Sequence, residues 1–440
     1  MRPAFVFDQN KCTGCQACQL ACVIENELEP DASWRQINTF NERHYPGAPL
    51  FHISLACNHC AEPACMSACP AAAYFKDSAT GAVLVDQNKC IGCRYCTWAC
   101  PYDAPKFDHT KGVVSKCTFC NHRIKNGSRP ACVELCPTGA LQFERLDETE
   151  ITNDVEGFTP TDLKPSIRII PLRDYRTRAQ PMHDPRIVSV NRRDRPPPRI
   201  TLKSEWPLAL FTLLGASLFA AIAGGSRVHS ALHPLGFLGA AALGMTISSA
   251  HLGRKTRAWR AVLNLRSSWL SREVVFFTLF VGLGTAYLGI PQRPVWIGTA
   301  AVCTGLAALV SMDMVYRFTI RRVPVPHSAG VVLTGLFLMG VLSANPWIAV
   351  PVGVVKLSLY LWRKMAAAKI GARIHPLVAA VRIASGFGLP LVLIPGAAYS
   401  LVVGFVFIGE FIDRVEYYGE LDVTSPALQM HLDLTKKTAP

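Results

Sequence analysis

Cys12, Cys15, Cys18 and Cys22 stand in the pattern C-x2-C-x2-C-x3-C, and Cys90, Cys93, Cys96 and Cys100 repeat it. Cys57, Cys60, Cys65 and Cys69 stretch the second gap, and Cys117, Cys120, Cys132 and Cys136 widen it to eleven residues; both keep the closing C-x3-C. Three thiolates on one tight loop can grip three iron corners of a cubane, after which the chain turns away and the fourth cysteine serves a neighbouring cluster. The spacing predicts four [4Fe-4S] clusters, each a one-electron carrier. It also predicts that motifs I and IV exchange Cys22 and Cys136, and that motifs II and III exchange Cys69 and Cys100. Four repeats of one ligand pattern make disulfides a poor account of the same residues. Pro70, Pro101 and Pro137 follow the fourth cysteines of motifs II to IV, where proline ends a short helix; motif I has Val23 instead. No cysteine of the motifs is left over as a nucleophile, Cys303 reads as packing, and His59 reads as a neighbour of a cluster rather than a ligand.

The elements that must position these residues divide the 440-residue chain near residue 205. Sixteen of its 17 cysteines precede residue 137, and the long apolar runs all follow Trp206. The formal charge of +14 raises nucleic acid as a partner, but the Lys and Arg residues concentrate between hydrophobic segments and in the stretch ahead of them. That distribution belongs to membrane topology and excludes a nucleic-acid face. Residues 147–205 are rich in proline and charge and read as an extended linker whose basic end meets lipid headgroups. The expected domains are 1–146 for the clusters, 147–205 for the linker, 206–415 for a membrane bundle and 416–440 for a tail. The expected fold is an α+β ferredoxin-like four-cluster domain joined to an all-α polytopic bundle.

Apolar segments recur at about 207–225, 232–251, 272–289, 295–315, 328–344, 346–363, 376–394 and 397–413, which predicts eight transmembrane helices. An even number returns the chain to its starting side. The loops expected on that side carry thirteen Lys and Arg residues, clustered at 254–272, 317–322 and 363–373, whereas the far loops carry Arg227 and Arg293. The positive-inside rule then faces the cluster domain to the cytoplasm, in the inner membrane. The opening MRPAFVFDQNKC, with neither an apolar leader nor a twin-arginine pair, agrees.

Ionisable residues at membrane depth cost roughly 2.5–3.5 kcal/mol each on insertion scales, so they are kept for a reason. His251, Glu273, Asp313, Lys356, Arg382 and Glu410 fall in the half of their helices expected nearer the clusters. A quinone headgroup needs two electrons and two protons, and His251 and Glu273, with Arg257, are the candidates to bind it. Taken singly, Asp313, Lys356, Arg382 and Glu410 read as interhelical ion pairs or snorkelling side chains. His229, His233, His327 and His375 lie at helix ends rather than facing one another, so no haem is expected.

CNHCAEPACMSACP, GCRYCTWACPYDAPKF and KCTFC…PACVELCPTGAL resemble the iron–sulfur subunit of the dimethyl sulfoxide reductase family of molybdenum enzymes. SSAHLGRKTRAWRAVLNLRSSWLSREV, with GEFIDRVEYYG near the end, resembles the membrane anchor of the same family. The resemblance implies two electron-transfer subunits fused through a linker, and quinol binding by His251 and Glu273. It also implies a separate catalytic subunit carrying a molybdopterin cofactor, on which the substrate site lies. Cytoplasm-facing relatives include a sulfite-oxidising quinone reductase. The rival reading is a stand-alone quinone reductase fed by a soluble donor such as ferredoxin; a purely structural anchor is hard to reconcile with four complete ligand sets.

Overall fold

A computed structural model describes residues 1–29, 32–45, 48–173, 195–229, 232–321, 325–369, 375–390 and 399–438. The chain forms two compact units, Met1–Pro197 with Val423–Pro440, and Pro198–Asp422.

In the first unit, β1 (Arg2–Asp8) is the central strand of a three-stranded sheet. The motifs that follow are built from α1 (Ala17–Glu25), the hairpin β2 (Gln36–Phe40) and β3 (Phe51–Leu55), α2 (Ala64–Ala68), and the hairpin β4 (Tyr74–Lys76) and β5 (Val83–Val85). Then come α3 (Tyr95–Ala99), the hairpin β6 (Lys106–Asp108) and β7 (Val113–Ser115), α4 (Asn121–Lys125), α5 (Ala131–Glu134) and β8 (Leu141–Leu146). Strand β8 pairs antiparallel with β1, Phe5 opposite Phe143, and β9 (Ile167–Ile170) pairs parallel with β1 on its other edge. Phe5, Phe7, Phe40, Phe51 and Ile53 form the core between the cysteine loops.

The proline rule holds in the helix lengths. Helices α2, α3 and α5 run four or five residues and stop at or just before the fourth cysteine, whereas α1, with Val23 in place of proline, continues through Cys22 to Glu25.

Two segments differ from the sequence reading. Residues 147–173 join the first unit: Ile167 and Ile169 are buried in β9, and Phe158 is buried with its ring stacked on Tyr102 at 5.0 Å. The alternation in Ile167-Arg168-Ile169 supplies one apolar strand face, enough to pair with β1 despite the surrounding prolines. At the other end, α15 (Pro426–Lys437) is a capped helix rather than a loose tail. Ser425 accepts from the Leu428 N–H, Met430 and Leu434 enter the core of the first unit, and Asp433 accepts from the Gly157 N–H at 3.0 Å.

The second unit is helical: α6 (Leu202–Ala223), the short α7 (Ser226–His229), α8 (Pro234–Ser249), α9 (Trp269–Gly289), α10 (Val295–Val315), β10 (Thr319–Arg321), α11 (Val331–Leu342), α12 (Pro346–Lys369), α13 (Pro376–Ile383), a π-helical turn (Ala384–Gly388) and α14 (Tyr399–Glu420). A short strand, β11 (Leu421–Val423), pairs with β10. Thr201 starts α6 by accepting from the Ser204 N–H. Among the described residues three helices are long and apolar enough to cross a membrane: Leu202–Ala223, Trp269–Gly289 and Val295–Phe318. The last expected span, 397–413, lies within α14 apart from residues 397 and 398, which fall outside the described residues, as do 391–394 of the preceding segment.

Candidate functional site

Each cysteine motif begins with the same backbone device. The residue before the second cysteine takes a positive φ in all four: Gly14 at 72°, His59 at 41°, Gly92 at 71° and Phe119 at 65°. That turn points an N–H back at the first sulfur. His59 donates to Cys57 Sγ, Gly92 to Cys90 Sγ and Phe119 to Cys117 Sγ, each at 3.4 Å. Such converging amides are a nest for negative charge, the charge that a ligating thiolate carries. Other sulfurs receive amides from farther along the chain, Ala73 on Cys69 and Leu141 on Cys136.

The third cysteine then rides on a short helix and the fourth crosses to another motif. Cys12, Cys15 and Cys18 line one cavity with Cys136; Cys117, Cys120 and Cys132 line another with Cys22; Cys57, Cys60 and Cys65 line a third with Cys100. Cys93 and Cys96 lie within electrostatic reach of Cys90 and of Cys69. None of the 17 cysteines is joined in a disulfide.

Among the described residues no group of His, Cys, Asp or Glu converges tightly enough for a single metal ion. The quartets instead surround apolar hollows rimmed by sulfur, a donor set that suits a larger iron–sulfur core. As thiols they are ill at ease. Burial pushes Cys132 up to about 11, and burial raises Cys60, Cys93 and Cys117 further. Cys136 is the exception: hydrogen bonds from the Leu141 N–H and Thr138 outweigh the effect of burial and lower it.

His59 is buried, stacked on Phe119 at 4.1 Å, and its Nδ1 accepts from the Val83 N–H. Burial, and then the Lys116 charge, hold it well below the usual histidine range, so it is a neutral spacer beside Cys57.

In the helical unit, Glu273 is buried in the first turns of α9, within electrostatic range of Arg414 and Tyr418 of α14. Arg414 donates through Nε to Thr212 Oγ1 at 2.9 Å and through Nη1 to the Ala329 carbonyl at 2.8 Å, and the rings of Tyr417 and Tyr418 pack against it. The Tyr418 hydroxyl is hydrogen-bonded to that of Tyr316. His251 and Arg257 are half-buried in the connection between α8 and α9.

Apart from Asp313, the other ionisable residues singled out in the apolar segments fall into a buried ion-pair network. Glu410 pairs with Lys356 at 3.0 Å and Arg382 at 2.9 Å; Asp413 takes Arg382 and Arg363, each at 3.3 Å; Arg363 also reaches Glu416 and Glu420. Asp313 has a different task, accepting the Val331 and Val332 N–H groups at the start of α11. Sequence reasoning took Arg363 for a basic loop residue, whereas it is buried in α12, and it did not single out Asp413, Arg414, Tyr417 or Tyr418. The signal was there: Glu410, Asp413, Arg414, Tyr417 and Tyr418 follow one another at helical spacing, a polar stripe on the buried face of α14. Arg35 and Lys116, buried among the cysteine quartets, were missed as well; Arg35 carries no spacing signal, and Lys116 shares its place before the first cysteine with Lys11 and Lys89, which are exposed.

Sulfur-rimmed hollows on a ferredoxin-like scaffold, followed by an apolar helical unit, define an iron–sulfur electron carrier with a membrane anchor. Residues 49–146 match the 4Fe-4S dicluster domain family, and residues 202–393 match the DMSO reductase anchor subunit (DmsC) family. One chain of the anaerobic dimethyl sulfoxide reductase of Haemophilus influenzae is 38% identical over 181 residues, 38% of this protein and 88% of that one. Its counterpart in the Escherichia coli reductase is 42% identical over 152 residues, covering 33% and 74%. A sulfite dehydrogenase subunit of Allochromatium vinosum is 37% identical over 161 residues, covering 32% and 67%. This protein belongs to the dimethyl sulfoxide reductase family as an iron–sulfur electron-transfer chain fused to a DmsC-type membrane anchor.

Proposed function

We propose that this chain relays electrons between a molybdopterin-containing catalytic subunit and membrane quinone through four [4Fe-4S] clusters. The observation that carries it is the crossing of Cys22, Cys100 and Cys136 into the cavities of other motifs, the arrangement a chain of neighbouring clusters requires. Cys12, Cys15, Cys18 and Cys136 would hold one cluster; Cys57, Cys60, Cys65 and Cys100 a second; Cys90, Cys93, Cys96 and Cys69 a third; Cys117, Cys120, Cys132 and Cys22 the fourth. When bound, the clusters supply one-electron carriage. The amides at His59, Gly92 and Phe119 hold the sulfurs in place and offset their charge.

The anchor is read as eight crossings. Helices α12 and α14 have 24 and 22 residues, long enough to span, and what lowers their apolarity is the ion-pair network that neutralises itself. The thirteen-to-two distribution of basic residues between the two sets of segment ends and connections supports an inner-membrane location with the cluster unit toward the cytoplasm. His251, Arg257 and Glu273 are the proposed quinone site: Glu273 beside Arg414 offers a buried carboxyl to exchange a proton with the headgroup. The reading without haem rests on the sequence, in which His229, His233, His327 and His375 lie at helix ends rather than as facing pairs. Kinship with a sulfite dehydrogenase subunit, together with the inward-facing charge, supports sulfite oxidation as the partner's reaction.

The test is anaerobic purification of the full chain from its native membranes. A molybdenum-containing companion is expected to co-elute, and reduced clusters are expected to reoxidise when a water-soluble quinone analogue is added. Reoxidation without such a companion would instead make the protein a quinone reductase fed by a soluble donor, and failure to reoxidise would remove the quinone link.

A further inference from the structure

Two buried cations stand between the cysteine quartets. Arg35 is 1% exposed; its Nη1 donates to the Ser54 carbonyl and Oγ, both at 3.1 Å, and its Cζ lies 4.4 Å over the Phe5 ring. Its Nε and Nη2 are buried without a hydrogen-bond partner among the described residues. Arg35 lines the hollow of Cys22, Cys117, Cys120 and Cys132, while Ser54 lines the hollow of Cys12, Cys15, Cys18 and Cys136 and meets Cys18 Sγ at 3.3 Å. One guanidinium thus faces two quartets.

Lys116 does the same at the next junction. It is 2% exposed, and its Nζ donates to the Cys117 carbonyl at 3.0 Å and to Cys57 Sγ at 3.5 Å, as well as to the Val83 carbonyl. Cys57 and Cys65 on one side and Cys117 on the other are within its electrostatic reach. Beside Cys65, Cys69 and Cys96 the buried neighbour is Tyr74, which is neutral. Arg35 and Lys116 are the only buried Lys or Arg among the described residues of the first unit.

Burying a cation without a carboxylate is costly, so its compensation must come from the negative charge of the thiolate-bound clusters. Reduction adds one electron and therefore one negative charge to a cluster, and a fixed cation in a low-dielectric site favours the reduced form. Arginine keeps its proton, so none accompanies the electron.

Resting on the four-cluster reading, we infer that Arg35 and Lys116 set the potential profile of the relay. Arg35 raises the reduction potentials of the centres in the motif I and motif IV hollows; Lys116 raises those of motifs II and IV. The motif IV centre, which both cations face, gains most, and the motif III centre gains nothing from either. The two residues thereby bias where along the relay an electron rests.

The test is potentiometric titration of the full chain, followed by EPR, with iron content measured on each sample. Arg35→Gln is expected to lower two of the four one-electron steps by tenfold or more in equilibrium constant, about 59 mV for one electron. Lys116→Gln is expected to lower two, with one step moved in both variants and one in neither. Arg35→Lys, which keeps the charge, is expected to stay close to the unaltered protein. Full iron with unmoved steps in Arg35→Gln, an equal shift of all four steps, or a shift in Arg35→Lys as large as in Arg35→Gln would overturn the inference. Iron loss in both glutamine variants would overturn it too, in favour of a structural role. An unaltered protein that holds no iron would fail the cluster reading itself.

Discussion

Both units of the molecule bury cations, but they neutralise them differently. In the helical unit Lys356, Arg363 and Arg382 are matched by Glu410, Asp413, Glu416 and Glu420 of α14, so the counter-charge is built into the polypeptide. In the cluster unit Arg35 and Lys116 face sulfur and carbonyl oxygen, and no carboxylate pairs with them among the described residues. There the counter-charge arrives with the cofactor. The difference teaches that the anchor can reach its final packing from sequence alone, whereas the electron-transfer unit is completed by metal.

Stripping iron should sharpen that contrast most strongly. Removing one partner of a buried charge pair typically costs about 3–5 kcal/mol, and metal loss uncovers two cations as well as the raised thiols. Full-length protein produced under iron depletion is expected to lose protease resistance within residues 1–173 while the helices of the second unit stay protected. Equal protection of both units, read by mapping the cleavage sites, would erase the distinction.

The built-in network offers the next largest effect. Glu410→Gln removes the carboxylate that pairs with Lys356 and leaves Arg382 with Asp413 alone, and is expected to destabilise the anchor by about 3–5 kcal/mol, with cluster absorbance per folded molecule unchanged. Adding Lys356→Met should recover part of the loss, because residues in one ion-pair network couple by roughly 0.5–3 kcal/mol. Thermal denaturation in detergent of both single variants and the double variant measures that coupling; strict additivity would mean that the pair is not a working unit.

The same contrast explains what was legible in the sequence. Cysteine ligands must sit at fixed short spacings on one loop, so Cys12 to Cys136 announce themselves, and even the missing proline at Val23 shows up as a longer α1. Arg35 lies thirteen positions beyond Cys22 and reaches two hollows only through the hairpin β2–β3 and Ser54, a long-range closure with no periodic trace. Lys356 and Glu410 were visible one at a time as ionisable residues in apolar runs. Their pairing depends on which faces of α12 and α14 meet. Residues 147–173 and α15 were hidden for another reason: each contributes only a few apolar side chains, such as Ile167, Ile169, Met430 and Leu434, to a core made mostly by residues far away in the sequence.

Backbone geometry gives the smaller effects, one in each unit. At the crossing of α14 with the π-helical turn after α13, a Cβ on Gly409 would stand 2.6 Å from the Gly386 Cα and 2.8 Å from its nitrogen. Backbone cannot step aside as a side chain can, so Gly409→Ala is expected to spread these helices and cost about 1–3 kcal/mol in anchor stability, with the clusters spectroscopically unaltered. In the cluster unit Gly14 holds φ at 72°, and a Cβ there would come within 2.8 Å of the His52 ring, which is tied to Thr39 through Nδ1 at 3.0 Å. Gly14→Ala is expected to cost about 1–2 kcal/mol, the ordinary penalty of a left-handed residue. His59 and Phe119 carry side chains in the equivalent turns, so the motif absorbs that backbone penalty, and the close approach of the His52 ring is what makes the effect local. The variant should therefore weaken iron retention at the motif I hollow alone. Loss of one EPR-active centre with three retained is the expected reading, and loss spread evenly over all four would make the turns a shared rather than a local device.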